Sequence, residues 1–81
     1  MFQSSNQSAA TGLKAVTPSN TVDETTRFRA LYVGGAGNIA IKGGDGNVVT
    51  LIGVPVGSVL NIEVLRVNVT NTTATNLVGL L

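Results

Sequence analysis

Cysteine, histidine and tryptophan are all missing from this chain. Without cysteine no disulfide and no thiolate metal site can form. Without histidine or cysteine the usual activators of a nucleophile are gone as well. Carboxylates are few: Asp23, Glu24, Asp45 and Glu63. Asp23 and Glu24 are neighbours in a polar stretch, where they point apart and stay solvated, with no burial to tune either for acid–base work. The chain therefore reads as non-enzymatic, with no catalytic residue, cofactor site or metal site expected.

Charge is scarce too, at 11% of residues and a net +1. That balance implies neither a nucleic acid nor an acidic membrane surface as partner. Arg27, Arg29, Lys42 and Arg66 are scattered, and Phe2, Phe28 and Tyr32 are the only aromatics. These are too few to stack on single strands or to neutralise a phosphate backbone. The arginines are expected to flank protein interfaces or to pair with Glu63 and neighbouring subunits, a role that suits their planar fork. Apolar runs such as Val48 to Val56 are interrupted by Thr50, Gly53 and Pro55. They are far too short to span a bilayer. Met1 to Ser8 has no basic start, and no apolar run of the signal-peptide kind follows it. Synthesis in the cytoplasm is expected, and the sequons at Asn6, Asn68 and Asn71 read as turn and strand residues.

What is present is Val, Leu, Ile, Thr, Asn and Gly, a mixture that favours strands joined by tight turns. The 81 residues make one domain. A domain of this size buries only about 60% of the surface its unfolded chain exposes. Small domains usually need a staple. With disulfides and thiolate metals excluded, contacts with other chains are the expected substitute.

Residues 1–24 are rich in Ser, Gln, Asn, Thr and Ala, and alone they bury too little to offset their ordering entropy. They read either as an arm that orders along a neighbouring subunit, anchored by Phe2, Leu13 and Val16, or as a frayed terminus. Residues 25–81 read as the folded domain. Thr25 to Val33 alternates, with Phe28, Ala30 and Tyr32 on one face and Arg27 and Arg29 on the other. Ile39 to Lys42 and Val48 to Val54 form a hairpin around Asp45-Gly46, a pair suited to the positive φ of a type I′ turn. After a corner at Pro55 comes the longest predicted strand, Val59 to Thr70. Its apolar face swaps between Val64 and Leu65, which requires a bulge there or a passage from one packing layer to another. Asn71 to Thr75 is a polar turn and Asn76 to Leu81 a closing strand. No helical period holds for ten residues. The expected fold is all-β: a small antiparallel sandwich or barrel of five to six short strands with an extended N-terminal arm.

Gly35-Ala36-Gly37-Asn38-Ile39-Ala40 matches the dinucleotide fingerprint, but no helix can start after it and no acidic residue follows at the required distance. It reads as a turn. Asp45-Gly46-Asn47 lacks the spaced carboxylates of a calcium loop.

The block Arg29-Ala30-Leu31-Tyr32-Val33-Gly34-Gly35-Ala36-Gly37, the central turn Gly53 to Leu60, and the end from Thr70 through Thr72-Thr73-Ala74-Thr75-Asn76 to Val78 together resemble small tailed-phage virion proteins. The relatives are the head spike-base and head decoration (cement) proteins of phages and gene transfer agents, and the resemblance covers Arg27 to Leu81. It implies a virion structural protein that decorates or cements the outer surface of an icosahedral capsid. Its partners would be the major capsid protein and further copies of itself, a trimer being favoured and a pentamer possible. The alternative is a spike-base or tail-associated module that binds a fibre, receptor or carbohydrate. With the chain ending at Leu81 and carrying no fibre domain, capping or cementing is at least as well supported. The interface is expected to include Phe2, Leu13, Val16, Arg27, Arg29 and Arg66.

Overall fold

The computed structural model describes residues 9–81, and all of their regular structure is β. The strands are β1 (Leu13–Ala15), β2 (Ala30–Gly35), β3 (Gly37–Gly43), β4 (Val48–Val54), β5 (Val59–Leu60), β6 (Val64–Val67) and β7 (Thr75–Leu80). A first sheet has the order β1-β7-β2-β5 and a second the order β4-β3-β6, with every pairing antiparallel. Phe28, Leu31, Val33, Ile39, Ile41, Val54, Val64, Val67, Ala74 and Leu77 form the core between them. The count exceeds the expected five to six because β1 lies inside the polar N-terminal segment and the long predicted strand is divided.

That division has a definite cause. β5 belongs to the first sheet, with Leu60 opposite Leu31, whereas β6 pairs with β3 in the second. Residues 61–63 carry the chain from one layer to the other. Within β6, Arg66 is opposite Lys42 and Val64 is opposite Gly43, so Leu65 is an extra, bulged residue. The bulge resets the alternation, and Val64 and Val67 both face the core although they are three residues apart. The two alternatives that the face swap left open are both present.

A second crossing corrects the reading of Thr25 to Val33. Phe28 bridges Val64 of the second sheet, while Ala30 already pairs with Leu80 in the first. Between them the period-two pattern slips by one residue. Phe28, Leu31 and Val33 are buried, and Tyr32 turns outward instead of sharing a face with Phe28. A third crossing joins β2 to β3 through Ala36 alone. Gly37 passes so close to the backbone of Ala74 that a Cβ there would overlap it. The dinucleotide-like glycines are this corner.

The polar turn does more than reverse the chain. Thr72 and Thr73 hydroxyls accept from the Ala40 and Asn38 N–H groups, and Thr73 and Ala74 N–H donate to the Asn38 carbonyl. The loop thus serves the part of β3 that β6 does not reach. On the other side of β6, residues 19–24 act as a strap: Ser19 and Glu24 N–H donate to the Val67 and Leu65 carbonyls. Asp23 pins it, accepting from Lys42 Nζ at 3.1 Å and from an Arg66 guanidinium nitrogen at 3.2 Å. Asp23→Ala is expected to cost about 1 kcal/mol, since the pairs are partly solvated. In a domain of this size that lowers Tm by roughly 4–8 °C. A thermal melt read beside Thr21→Ala, which should leave Tm unchanged, checks it.

Candidate assembly surface

Residues opposite one another on antiparallel strands point to the same side of the sheet. In the first sheet one inward row runs Leu60, Leu31, Gly79, ending at Lys14 on the margin. The outward rows flank it: Leu13, Leu80 and Ala30 in one, and Ala15, Val78, Tyr32 and Val59 in the other. Neither outward row contains a charged or purely polar side chain. Tyr32 is 38% exposed, Val59 51% and Leu13 72%. An antiparallel sheet with one solvated face normally alternates apolar-in and polar-out. Here both faces are apolar, and a contiguous apolar face of this kind marks an interaction site.

The second sheet behaves differently. Its outer face carries Lys42 and Arg66, opposite each other and tied to Asp23. Its apolar surface lies at the β4 margin, where Val49 is 60% and Ile52 74% exposed. β4 is the terminal strand of its sheet, seven residues long and without a charge. Long apolar edge strands of this sort invite pairing with another chain. Beside it opens a groove of about 240 Å³ lined by Ile41, Val49, Leu51 and Ile62, with Asp45 and Asn47 at its rim. The Asn47 backbone N–H and then its side-chain amide donate to Asp45, holding that carboxyl below its ordinary value.

The β1 and β4 margins bound the sandwich on opposite sides. From β1 the chain runs through the strap to the free side of β6, whereas Ile62, just past β5, faces Val49 and Leu51 across the groove.

The expected interface residues divide accordingly. Leu13 and Arg29 approach Leu80 from opposite sides: Leu13 pairs with it on β1, whereas Arg29 N–H donates to its carbonyl from the start of β2 and the Arg29 guanidinium reaches the Ala9 carbonyl at 3.4 Å. Val16 packs against the core. Arg27 pairs with Glu63 at 3.0 Å. Arg66 is engaged within the chain, donating to Asn68 Oδ1 at 2.8 Å besides Asp23. Phe2 lies outside the described residues. The sequence reading did not single out Tyr32, Val59, Val78 and Leu80 as surface. The available signal was β7 itself, whose Leu77-Val78-Gly79-Leu80 carries apolar side chains at both parities.

No protein-family model matches this chain, and no curated protein does. Among solved structures, a chain in the capsid of a native GTA particle, computed with C5 symmetry, is similar to it. The two share 35% sequence identity and superpose with a TM-score of 0.85, covering 98% of this chain and 92% of that one.

Proposed function

The chain belongs to the family of capsid-associated structural proteins represented in that gene transfer agent particle, and from this premise we propose that it decorates or cements the outer surface of an icosahedral capsid. The carrying observation is the uncharged outer face of the first sheet, Ala15, Val78, Tyr32 and Val59 beside Leu13 and Leu80. A face of this chemistry is stabilised by removal from water, at roughly 25 cal/mol per Å² of apolar surface covered. The major capsid protein is the partner that covers it, and the mature protein resides on the particle.

The same reading makes the chain non-catalytic. Asp23, Glu24 and Glu63 are each engaged with a cation, and Asp45, whose carboxyl is pushed down, is a poor proton carrier at neutral pH. A carbohydrate-binding role has little support, because sugar faces favour exposed aromatics and Tyr32 is the one exposed aromatic among the described residues.

Purified chain mixed with capsid shells that lack it should co-sediment with them, and cryo-EM of the decorated shell should place the first sheet against the shell lattice. Density rising outward from the chain would make it the base of a fibre. Failure to co-sediment, with the chain folded, would overturn the proposal.

A further inference from the structure

We infer that Asp45-Gly46 is a site of spontaneous isomerisation to isoaspartate, and that Asn47 holds its rate down. The chemistry is intrinsic to the chain and independent of the capsid reading. Among all aspartates and asparagines of the sequence, Asp45 alone is followed by glycine. The Gly46 backbone nitrogen attacks Asp45 Cγ, and the acid's hydroxyl leaves with the amide hydrogen as water, closing a succinimide ring. Water then reopens the ring at one of its two carbonyls. Cleavage at Cγ restores aspartate. Cleavage at the α-carbonyl routes the main chain through Cγ and leaves the α-carbon carrying the free carboxylate. No oxidant, reductant or further reactant is needed.

The first support is access. Asp45 is exposed in the turn between β3 and β4, and the space where a Gly46 Cβ would stand is empty to 4 Å. A side chain after an aspartate shields the attacking nitrogen, and glycine removes that shield. The second support is the way the turn holds both reacting groups. Gly46 N–H donates to the Gly43 carbonyl at 2.9 Å. Asn47 N–H donates to Asp45 Oδ1 and its side-chain amide to Oδ2, each at 3.0 Å. These bonds favour the ionised carboxylate and hold the group below its ordinary value. An ionised carboxylate cannot lose a hydroxyl, so ring closure draws on the small protonated fraction. The nearest charges are Glu63, which lies against Gly44, and Arg27, which pairs with it and offsets it. Asp45 is the one charged residue lining the groove, which leaves Asn47 in control.

Isomerisation lengthens the main chain by one carbon inside the turn that Gly43 N–H closes onto the Asn47 carbonyl. β3 and β4 are in register from Lys42 and Val48 onward, so the added atom must be absorbed at the hairpin tip or that register is lost. The rim of the apolar groove changes with it, because Asp45 carries the carboxylate there. The hairpin is thus where a stored chain ages first.

Storage of the purified full chain in buffers from mild acid to neutral pH tests this, with circular dichroism confirming that each variant is folded. Labelling by isoaspartyl methyltransferase gives the amount of isoaspartate, and fragmentation mass spectrometry of the peptide that carries the turn gives its position. The wild type should accumulate isoaspartate at position 45, faster as the pH falls. Asn47→Ala should isomerise about threefold faster or more at neutral pH, because a hydrogen bond to the charged form is lost. Its acid limb should also move to higher pH, whereas a general loosening of the turn would speed the reaction without moving that limb. Asp45→Glu keeps the charge but sets the carboxyl one carbon too far for a succinimide, and should abolish the label at position 45. A wild type without isoaspartate there, an Asn47→Ala profile identical to wild type, or equal labelling of Asp45→Glu would each overturn the inference.

Discussion

Gly79→Val should leave the chain largely unfolded at room temperature. Gly79 sits on the inward row of β7 opposite Leu31, and a Cβ at that position falls within the Phe28 ring. The ring has nowhere to go, since Phe28 is fully buried and its backbone exchanges hydrogen bonds with Val64 in both directions. The substitution must expel the largest core side chain or push β7 off β2. Losing a buried Phe costs roughly 3–5 kcal/mol. Total stability for a chain of this length is about 4–12 kcal/mol, and the low end applies where no disulfide or metal contributes. Phe28→Ala should accordingly be nearly as damaging, by leaving a cavity instead of a clash. Urea titration followed by circular dichroism reads both variants, and a Gly79→Val midpoint close to wild type would show that β7 does not pack as described.

The second large effect belongs to the outer face of the first sheet. Tyr32→Glu or Val59→Glu should leave the domain folded, because both side chains point to solvent in the isolated chain and surface changes usually stay within about 0.5 kcal/mol. Attachment to capsid shells should suffer heavily. A carboxylate trapped without a partner under a docked surface costs about 3–5 kcal/mol. At about 1.4 kcal/mol for each factor of ten, affinity falls by at least two orders of magnitude. Shell co-sedimentation against added protein measures it. Unchanged binding by both variants would move the docking surface elsewhere.

Much of the fold is legible in the sequence. The hairpin at Asp45-Gly46, the absence of helix among the described residues and the irregularity at Val64-Leu65 all follow from local chemistry. The turn is nevertheless not the expected type I′: Gly46 has a positive φ of 87° and Asp45 does not. Gly46 N–H closes a turn onto the Gly43 carbonyl, with Gly44 and Asp45 at its centre. Less of the surface was legible. Alternation tells which residues share a side, but it does not tell which side is covered, and it fails wherever the chain changes sheets. Tyr32 shows the difficulty. Its position relative to Phe28 suggested a common face, yet the crossing from the bridge at Phe28 to the pairing at Ala30 intervenes.

The amino-acid order alone settled that this chain is all-β, sparsely charged and without a covalent or thiolate-metal staple, because those properties are carried by residue type and near-neighbour spacing. Tertiary structure decided which apolar residues became core and which were left outward, that Arg66 is bound within the chain while Arg29 is not, and that Leu13 and the β4 groove lie on opposite margins. Those outcomes depend on where the chain crosses from one sheet to the other, as it does between β2 and β3, β4 and β5, β5 and β6, and β6 and β7. Such crossings join residues far apart in sequence, and no local pattern encodes their partners.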